Sequence, residues 1–580
     1  MSRCLSTFSG KAYASLVAAC LGLGAVAAQS QALPDIQRES LDQERRAAQR
    51  QAQQKQQQNT ARDVFLTEAP GKAQPLRFEA ESPCFAVEKL QIRSDDDEPF
   101  VWLTEAADGH GMLAQPDSPL GKCLGAKGIQ TLIDRLQNAL IARGFVTTRV
   151  LATPQNLQAG ILTLTAVVGR VNALRWTEGE ASTSRFKNAI PAHQGQVLNL
   201  RDIEQALENL KRVPTAEADI QIAPAKEPGY SDLVIQYEQS RTWRLALGMD
   251  DSGMRNTGKY LGNLTYSLDN PLGLSDLFYA TVNHDMGGAD AGPRGTRGVI
   301  VHYSMPYHYW TLAATLSTNR YHQTVAGANQ DYLYSGTSQT LDFKLSRIVQ
   351  RDNAGKTTAS LKAFQRRSNN YIDDTEVQAQ QRIVSAIEAG IGHRRMLGTT
   401  TLEANLNYRQ GLDIWGALPA PEEAFGEGTS RMKLLLADLS LTSPYQALGH
   451  DWVYALSLRG QNNRTPLTPQ DRLAIGGRYT VRGFDGTNVL SAERGWIMRN
   501  DLTLHLMSSL QPYIALDSGH VAGPSAINLV GQNLTGAVLG AKGTLWQKMQ
   551  YDFFVGRPLH KPAQFKTAQT TAGFSLYWSY

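Results

Sequence analysis

Asp517, Ser518 and His520 fall within four residues of one another, and these are the types a hydrolase combines as acid, nucleophile and base. The surrounding stretch, Tyr513-Ile514-Ala515-Leu516-Asp517-Ser518-Gly519, alternates as a strand. On a strand Ser518 faces away from Asp517, and His520 shares Ser518's face about 6–7 Å further along, so no relay forms locally. Ser518 lies in no nucleophile-elbow sequence. No phosphate-cradling glycine loop of the Walker kind occurs, and no Cys/His spacing suits a metal. The sequence therefore predicts no enzyme, no cofactor and no metal site. With 57 Lys+Arg against 53 Asp+Glu, the net charge of +4 also argues against a basic nucleic-acid binder.

The elements around these residues point to an exported chain. Arg3 and Lys11 form a basic start, residues 12–28 are apolar and small, and Ser30-Gln31-Ala32 is a small-x-small cleavage site, so residues 1–32 read as a secretory signal. A competing reading takes Val17-Ala18-Ala19-Cys20 as a lipoprotein box with a lipid on Cys20, although the apolar stretch runs on past that cysteine. Cleavage after Ala32 removes Cys4 and Cys20 and leaves Cys84 and Cys123 in an oxidising compartment. A disulfide is then the default, and two separate buried thiols the alternative. After Ala32 no run approaches the ~20 apolar residues of a spanning helix. The mature chain is thus either soluble outside the cytoplasm or a membrane β-barrel.

Residues 33–62 are almost wholly polar and helix-forming, with no apolar stripe. A helix over 34–58 would span ~38 Å, and it is either a solvated tail or a plug in a water-filled pore. Residues 63–81 read as a linker. Two small α/β modules follow, over 82–167 and 168–238. In the first, 85–92 alternate as a strand, Ile129, Leu132, Ile133, Leu136, Leu140 and Ile141 recur at helical spacing, and Gly144 closes that helix. Residues 145–151 and 160–167 read as two further strands. The second repeats the order, with a strand over 171–176, a helix carrying Ile203, Leu207 and Leu210, and strands over 218–223 and 232–237, which marks a tandem repeat.

Beyond Gln239 helical periodicity largely ends. Trp243, Leu245, Leu247 and Met249 alternate with Arg244, Ala246, Gly248 and Asp250, and Asn500, Leu502, Leu504 and Leu506 alternate with Asp501, Thr503 and His505. At the C-terminus Phe574, Leu576, Trp578 and Tyr580 alternate with Gly573, Ser575, Tyr577 and Ser579. Such segments of ~10 residues, separated by turns and long polar loops, predict a transmembrane β-barrel over 239–580, with room for sixteen strands at about 21 residues each. Tyr303, Tyr307, Tyr309, Trp310, Tyr577 and Trp578 fall near strand ends, as interfacial girdles do.

Several stretches resemble one family, the two-partner-secretion transporters of Gram-negative outer membranes. Ser82-Pro83-Cys84-Phe85 and Lys122-Cys123-Leu124-Gly125 bracket a segment as that family's paired cysteines do. Gly144-Phe145-Val146-Thr147-Thr148-Arg149-Val150 is similar to its post-helix strand, and Ser267-Leu268-Asp269-Asn270-Pro271-Leu272-Gly273-Leu274-Ser275-Asp276 to its first hairpins. Gly476-Gly477-Arg478-Tyr479-Thr480-Val481-Arg482-Gly483-Phe484, followed by Arg494-Gly495-Trp496 and Arg499-Asn500-Asp501-Leu502, carries the most specific likeness. His308 departs from the pattern, standing where such proteins often carry Gly.

The resemblance implies two periplasmic polypeptide-transport-associated (POTRA) modules, a barrel of 16 antiparallel strands, and a first helix able to occupy the pore. It implies a large partner exoprotein (haemolysin, adhesin or contact-dependent toxin) exported unfolded without ATP, outer-membrane lipid around the barrel, and the barrel-assembly machinery during biogenesis. A barrel-assembly factor is the alternative, since it shares the Val481-Arg482-Gly483-Phe484 motif. In this superfamily the motif's arginine lies on an extracellular loop, here around 470–497, folded back into the pore to pair with an acid on the wall. Asp517 is the expected acid, because Ile514 and Leu516 facing lipid turn it into the lumen, and facing lipid it would cost several kcal/mol. The pair either fixes the loop for conduction or only stabilises the barrel. The final strand, ending in Tyr580, resembles the signal read during barrel assembly.

Overall fold

The computed structural model describes residue 52 and residues 63–66, 77–94, 100–109, 116–177, 186–327 and 329–580. The expected signal segment and nearly all of the expected polar helix lie outside these residues. In the first module the strands are β1 (Phe85–Ala86), β2 (Lys89–Ser94), β3 (Cys123–Leu124), β4 (Arg149–Leu151) and β5 (Ile161–Val167), and the helices are α1 (Leu103–Ala107) and α2 (Ala126–Ala142). β2 runs parallel and β4 antiparallel to β5. The helical spacing places Leu132, Leu136 and Leu140 of α2 on the sheet, fully buried against Leu162 and Leu164. Cys84 and Cys123 are joined as a disulfide beside the β1–β3 pair.

The strand expected over 85–92 is interrupted. β1 pairs with β3, whereas Glu88 and Lys89 both donate to the Gly160 carbonyl next to β5, so the chain changes partner between two strands. The strand expected over 145–151 is confined to β4. Its first residues stay on the helix end, where the Phe145 amide donates to the Leu140 carbonyl and the ring packs on Phe100 and Trp102.

The second module comprises β6 (Arg170–Trp176), α3 (Leu200–Leu210), β7 (Ala216–Pro224) and β8 (Tyr230–Gln239), with strand order β6-β8-β7. Ile203, Leu207 and Leu210 of α3 pack on Leu233 and Ile235 of β8. The polar face of α3 is buried too, through Arg201, Glu204, Gln205 and Asn209, because it lies against turns of the barrel at His308 and Asp352.

The wall consists of β9 (Trp243–Asp250), β10 (Leu261–Asp269), β11 (Leu277–Asp285), β12 (Gly295–Tyr307), β13 (Trp310–Ala326), β14 (Asp331–Arg351), β15 (Gly355–Ile372), β17 (Arg382–Leu397), β18 (Thr400–Leu412), β19 (Lys433–Ala447), β20 (His450–Asn463), β23 (Arg494–His505), β24 (Gln511–Ala522), β25 (Asn533–Leu545), β26 (Met549–His560) and β27 (Thr571–Ser579). These sixteen antiparallel strands close into a barrel, with the short β16 (Thr375–Glu376) extending one hairpin. Between β20 and β23 a long connection folds inward and forms its own hairpin, β21 (Leu473–Ile475) with β22 (Leu490–Ala492). Leu264, Val282, Val299 and Leu341 are exposed on the outer face, while buried Thr265 and Thr281 share a hydrogen bond of 2.8 Å on the inner one. The period-two alternation thus becomes a lipid face and a polar lumen.

Candidate functional site

The inward hairpin carries the candidate site at its tip. Val481 and Phe484 are buried in an apolar cluster with Ile475, Leu490, Val521 and Leu534, and Phe484 meets Phe565 edge to face at 5.9 Å. This wedge holds the tip against β24 and β25 and orients Arg482 between two carboxylates. Its Nε donates to Asp517 Oδ2 at 2.7 Å, and one terminal nitrogen donates to Asp517 Oδ1 at 2.8 Å. The two terminal nitrogens also reach Asp501 at 2.7 and 3.0 Å. The Arg482 amide adds a third bond to Asp517, at 3.0 Å. Asp517 has no solvent exposure and Arg482 only 6%.

This pairing is fork-on-fork recognition, in which a planar guanidinium satisfies two carboxylates bidentately. Arg499 stands 3.7 Å from Asp517, so two cations and two anions balance in a largely buried volume. A buried charge left without its partner is costly, so the four groups hold together as a set. The backbone contact is equally tight. A Cβ on Gly536 would lie 2.0 Å from the Arg482 carbonyl oxygen. Gly483 adopts φ +95°, and a Cβ there would lie 2.6 Å from the Arg557 carbonyl, so loop and wall touch backbone to backbone where only glycine fits.

The structure brings Arg482 and Asp517 together and adds Asp501, which sequence reasoning placed on the polar face of its strand without giving it a partner. Arg478 was also missed. It donates to Asp251 Oδ1 at 2.6 Å and to the Phe574 carbonyl at 3.0 Å, while the Phe574 amide donates to the same Asp251 oxygen at 2.9 Å. The loop is therefore tied to the seam where β27 closes on β9. That seam has five residue pairs, from Ser575↔Asp250 to Ser579↔Ala246, against eight between β9 and β10 and seventeen between β13 and β14. Phe574, Leu576 and Trp578 lie on one face of β27. Tyr580 follows its last residue, exchanging backbone hydrogen bonds with Leu245 beside Trp243.

At the end of the barrel nearest the modules, the second module is bonded to the barrel turns. Asn188 donates to the Leu274 and Pro306 carbonyls at 2.8 and 2.7 Å, Asn209 to that of His308 at 2.8 Å, and Thr215 to Asp269 at 2.8 Å. His308 itself turns at φ +53°, the left-handed conformation in which glycine is favoured. Arg351 reaches Glu204 and Glu208 of α3 at 3.0 and 2.9 Å and also the Val64 carbonyl. Val64 and Leu66 donate back to Glu208 and Glu204, and Asp63 pairs with Lys356 and Arg394, each at 2.6 Å. The start of the expected linker is thus packed between α3 and the barrel rim.

Family models match this organisation in three places: POTRA domain, ShlB-type, over residues 113–169; POTRA domain over 170–224; and haemolysin secretion/activation protein ShlB/FhaC/HecB over 229–543. The chain belongs to the ShlB/FhaC/HecB family. Outer membrane transporter CdiB-2 of Burkholderia pseudomallei is 34% identical over 91% of this chain and 94% of its own length. Outer membrane transporter CdiB of Dickeya dadantii is 27% identical over 89% of each chain. The solved structure of CdiB from Acinetobacter baumannii superposes with a TM-score of 0.83 at 30% identity, covering 93% of this chain and 99% of that one. As a ShlB/FhaC/HecB protein the chain is an outer-membrane transporter of two-partner secretion, with its POTRA modules in the periplasm.

Proposed function

We propose that this transporter takes up one dedicated, unfolded exoprotein at the sheet edges of its POTRA modules and passes it through the barrel lumen. The Arg482 clamp holds the inward loop in the position that permits conduction. The observation that supports the reading is the bonding of the second module to the barrel turns, which brings the start of β7 against the barrel wall. Among the described residues β7 pairs on one side only, with β8, and it begins beside Thr215, itself bonded to Asp269 of the wall. An extended client can add to such an edge through backbone hydrogen bonds with little side-chain demand. Folding of the client outside then supplies the free energy in place of a nucleotide.

The likeness to CdiB transporters favours an exoprotein of the kind those proteins handle over a haemolysin. Co-expression with a candidate exoprotein tests the reading directly. Exoprotein should reach the medium only with the transporter, and deleting residues 168–238 should abolish that while leaving the barrel in the membrane. Export that persists without the second module would refute the assignment of recognition to it.

A further inference from the structure

The outer face of the barrel carries an arrangement that neither transport nor barrel closure explains. Arg297 on β12 and Arg320 on β13 stand directly opposite each other in the antiparallel register. His284, paired with Arg297 across β11 and β12, continues the row, and His322 lies two residues above Arg320. All four side chains are exposed. Their parity is that of Val282, Val299 and Leu316, which are 49%, 44% and 49% exposed on the lipid side, so the row projects outward. Like charges opposed across a strand pair repel, because their Cβ atoms are only about 4.5–5.5 Å apart. Among the described residues neither guanidinium is paired with a carboxylate. On the adjacent β14 Asp342 alternates onto the lumen face and the outward Asp331 pairs with Ala326, six residues beyond Arg320, while Asp285, of lumen parity, lies 3.6 Å from His284 but not against the arginines.

The height of the row identifies what would relieve that repulsion. Tyr307 and Trp310 face outward at the periplasmic ends of the same two strands, with the Arg347 guanidinium 5.1 Å from the Trp310 ring centroid. Arg297 and Arg320 each lie ten residues further along their strands. At about 3.3 Å per residue and a tilt of about 40°, ten residues rise about 25 Å, the height of the apolar band on outer-membrane barrels. The two arginines therefore sit where the acyl chains of the outer leaflet end and its headgroups begin.

We propose that Arg297 and Arg320, flanked by His284 and His322, form a binding site for the phosphate of an outer-leaflet lipid whose acyl chains lie along Val282, Val299 and Leu316. A phosphate oxygen pair accepts from both guanidinium forks and turns a repulsive pair into a bridged one. Full-length transporter purified in detergent tests the site by native mass spectrometry against lipid A bearing its phosphates and lipid A from which they have been removed. Wild type should retain the phosphorylated form preferentially. Arg297→Gln with Arg320→Gln should weaken that retention about ten-fold, Arg297→Lys with Arg320→Lys, which keeps the charge and loses the forks, should fall between that variant and wild type, and Arg347→Gln at the opposite leaflet should leave it unchanged. Heat-modifiable electrophoresis verifies that each barrel is folded. Equal retention by wild type and the double glutamine variant would overturn the proposal, as would equal binding of both lipids by wild type. Displacement of the lipid by inorganic phosphate would also overturn it, since that would mark a site for the free ion.

Discussion

Two carboxylates share Arg482, and their surroundings rank them. Asp517 is wholly enclosed and accepts three hydrogen bonds from Arg482, whereas the Asp501 side chain is 23% exposed. Removing the acid from a buried, bonded pair costs about 3–5 kcal/mol, and solvent access reduces that cost. Asp517→Asn should therefore lower the temperature at which the barrel unfolds in heat-modifiable electrophoresis further than Asp501→Asn does. Equal shifts would mean that the two acids are interchangeable. In the first module, burial alone would raise the Asp117 carboxyl, but bonds from Lys122, the Phe78 amide and Arg135 outweigh it and hold it down to about 2. A depressed carboxylate contributes stability in full above its unfolded value of about 3.9 and loses it as pH falls from there through the folded value. Hydrogen-exchange protection of the Phe78 amide should drop across that window in wild type, and should be low at every pH in Asp117→Asn.

Helix α3 faces a module core on one side and a membrane barrel on the other. Its apolar stripe of Ile203, Leu207 and Leu210 fills the core, and its opposite face gives Glu204 and Glu208 to Arg351 at the end of β14. Arg351→Ala would leave two carboxylates near each other without their shared cation and would free the Val64 carbonyl. The expected result is faster protease cleavage within residues 170–240 with the barrel band unchanged. Unchanged cleavage would show that the asparagine contacts, Asn188 and Asn209, suffice to hold the module.

Across the whole molecule, closure is uneven. A strand pair joined over five residues is held by fewer backbone hydrogen bonds than one joined over seventeen, so β9 and β27 should exchange amide hydrogens fastest among the wall strands. Arg478 and Asp251 brace that seam from the lumen side. Arg478→Ala should speed exchange in β9 and β27 and leave β13 and β14 as they were. Acceleration spread evenly around the barrel would refute a local brace.

Period-two alternation by itself fixed the inward face of Asp517 and Asp501 and the outward face of Leu247 and Leu576, because a strand side chain's direction depends only on its neighbours. The same locality made the core positions of α2 and α3 legible, and the motif at 481–484 marked the loop. What local pattern could not convey is which distant segments meet. Arg478 and Asp251 lie 227 residues apart, and the choice of Asp501 beside Asp517 depends on where a loop tip lands. The helical spacing of α3 marked only its apolar side and gave no sign that barrel turns would cover the other, and residues 63–66 looked like spacer until Arg351, Lys356 and Arg394 surrounded them. The sequence determined which way each side chain points within its own element. Only closure of the barrel and docking of the second module decided which of those side chains touch, because those contacts arise between segments that no local period links.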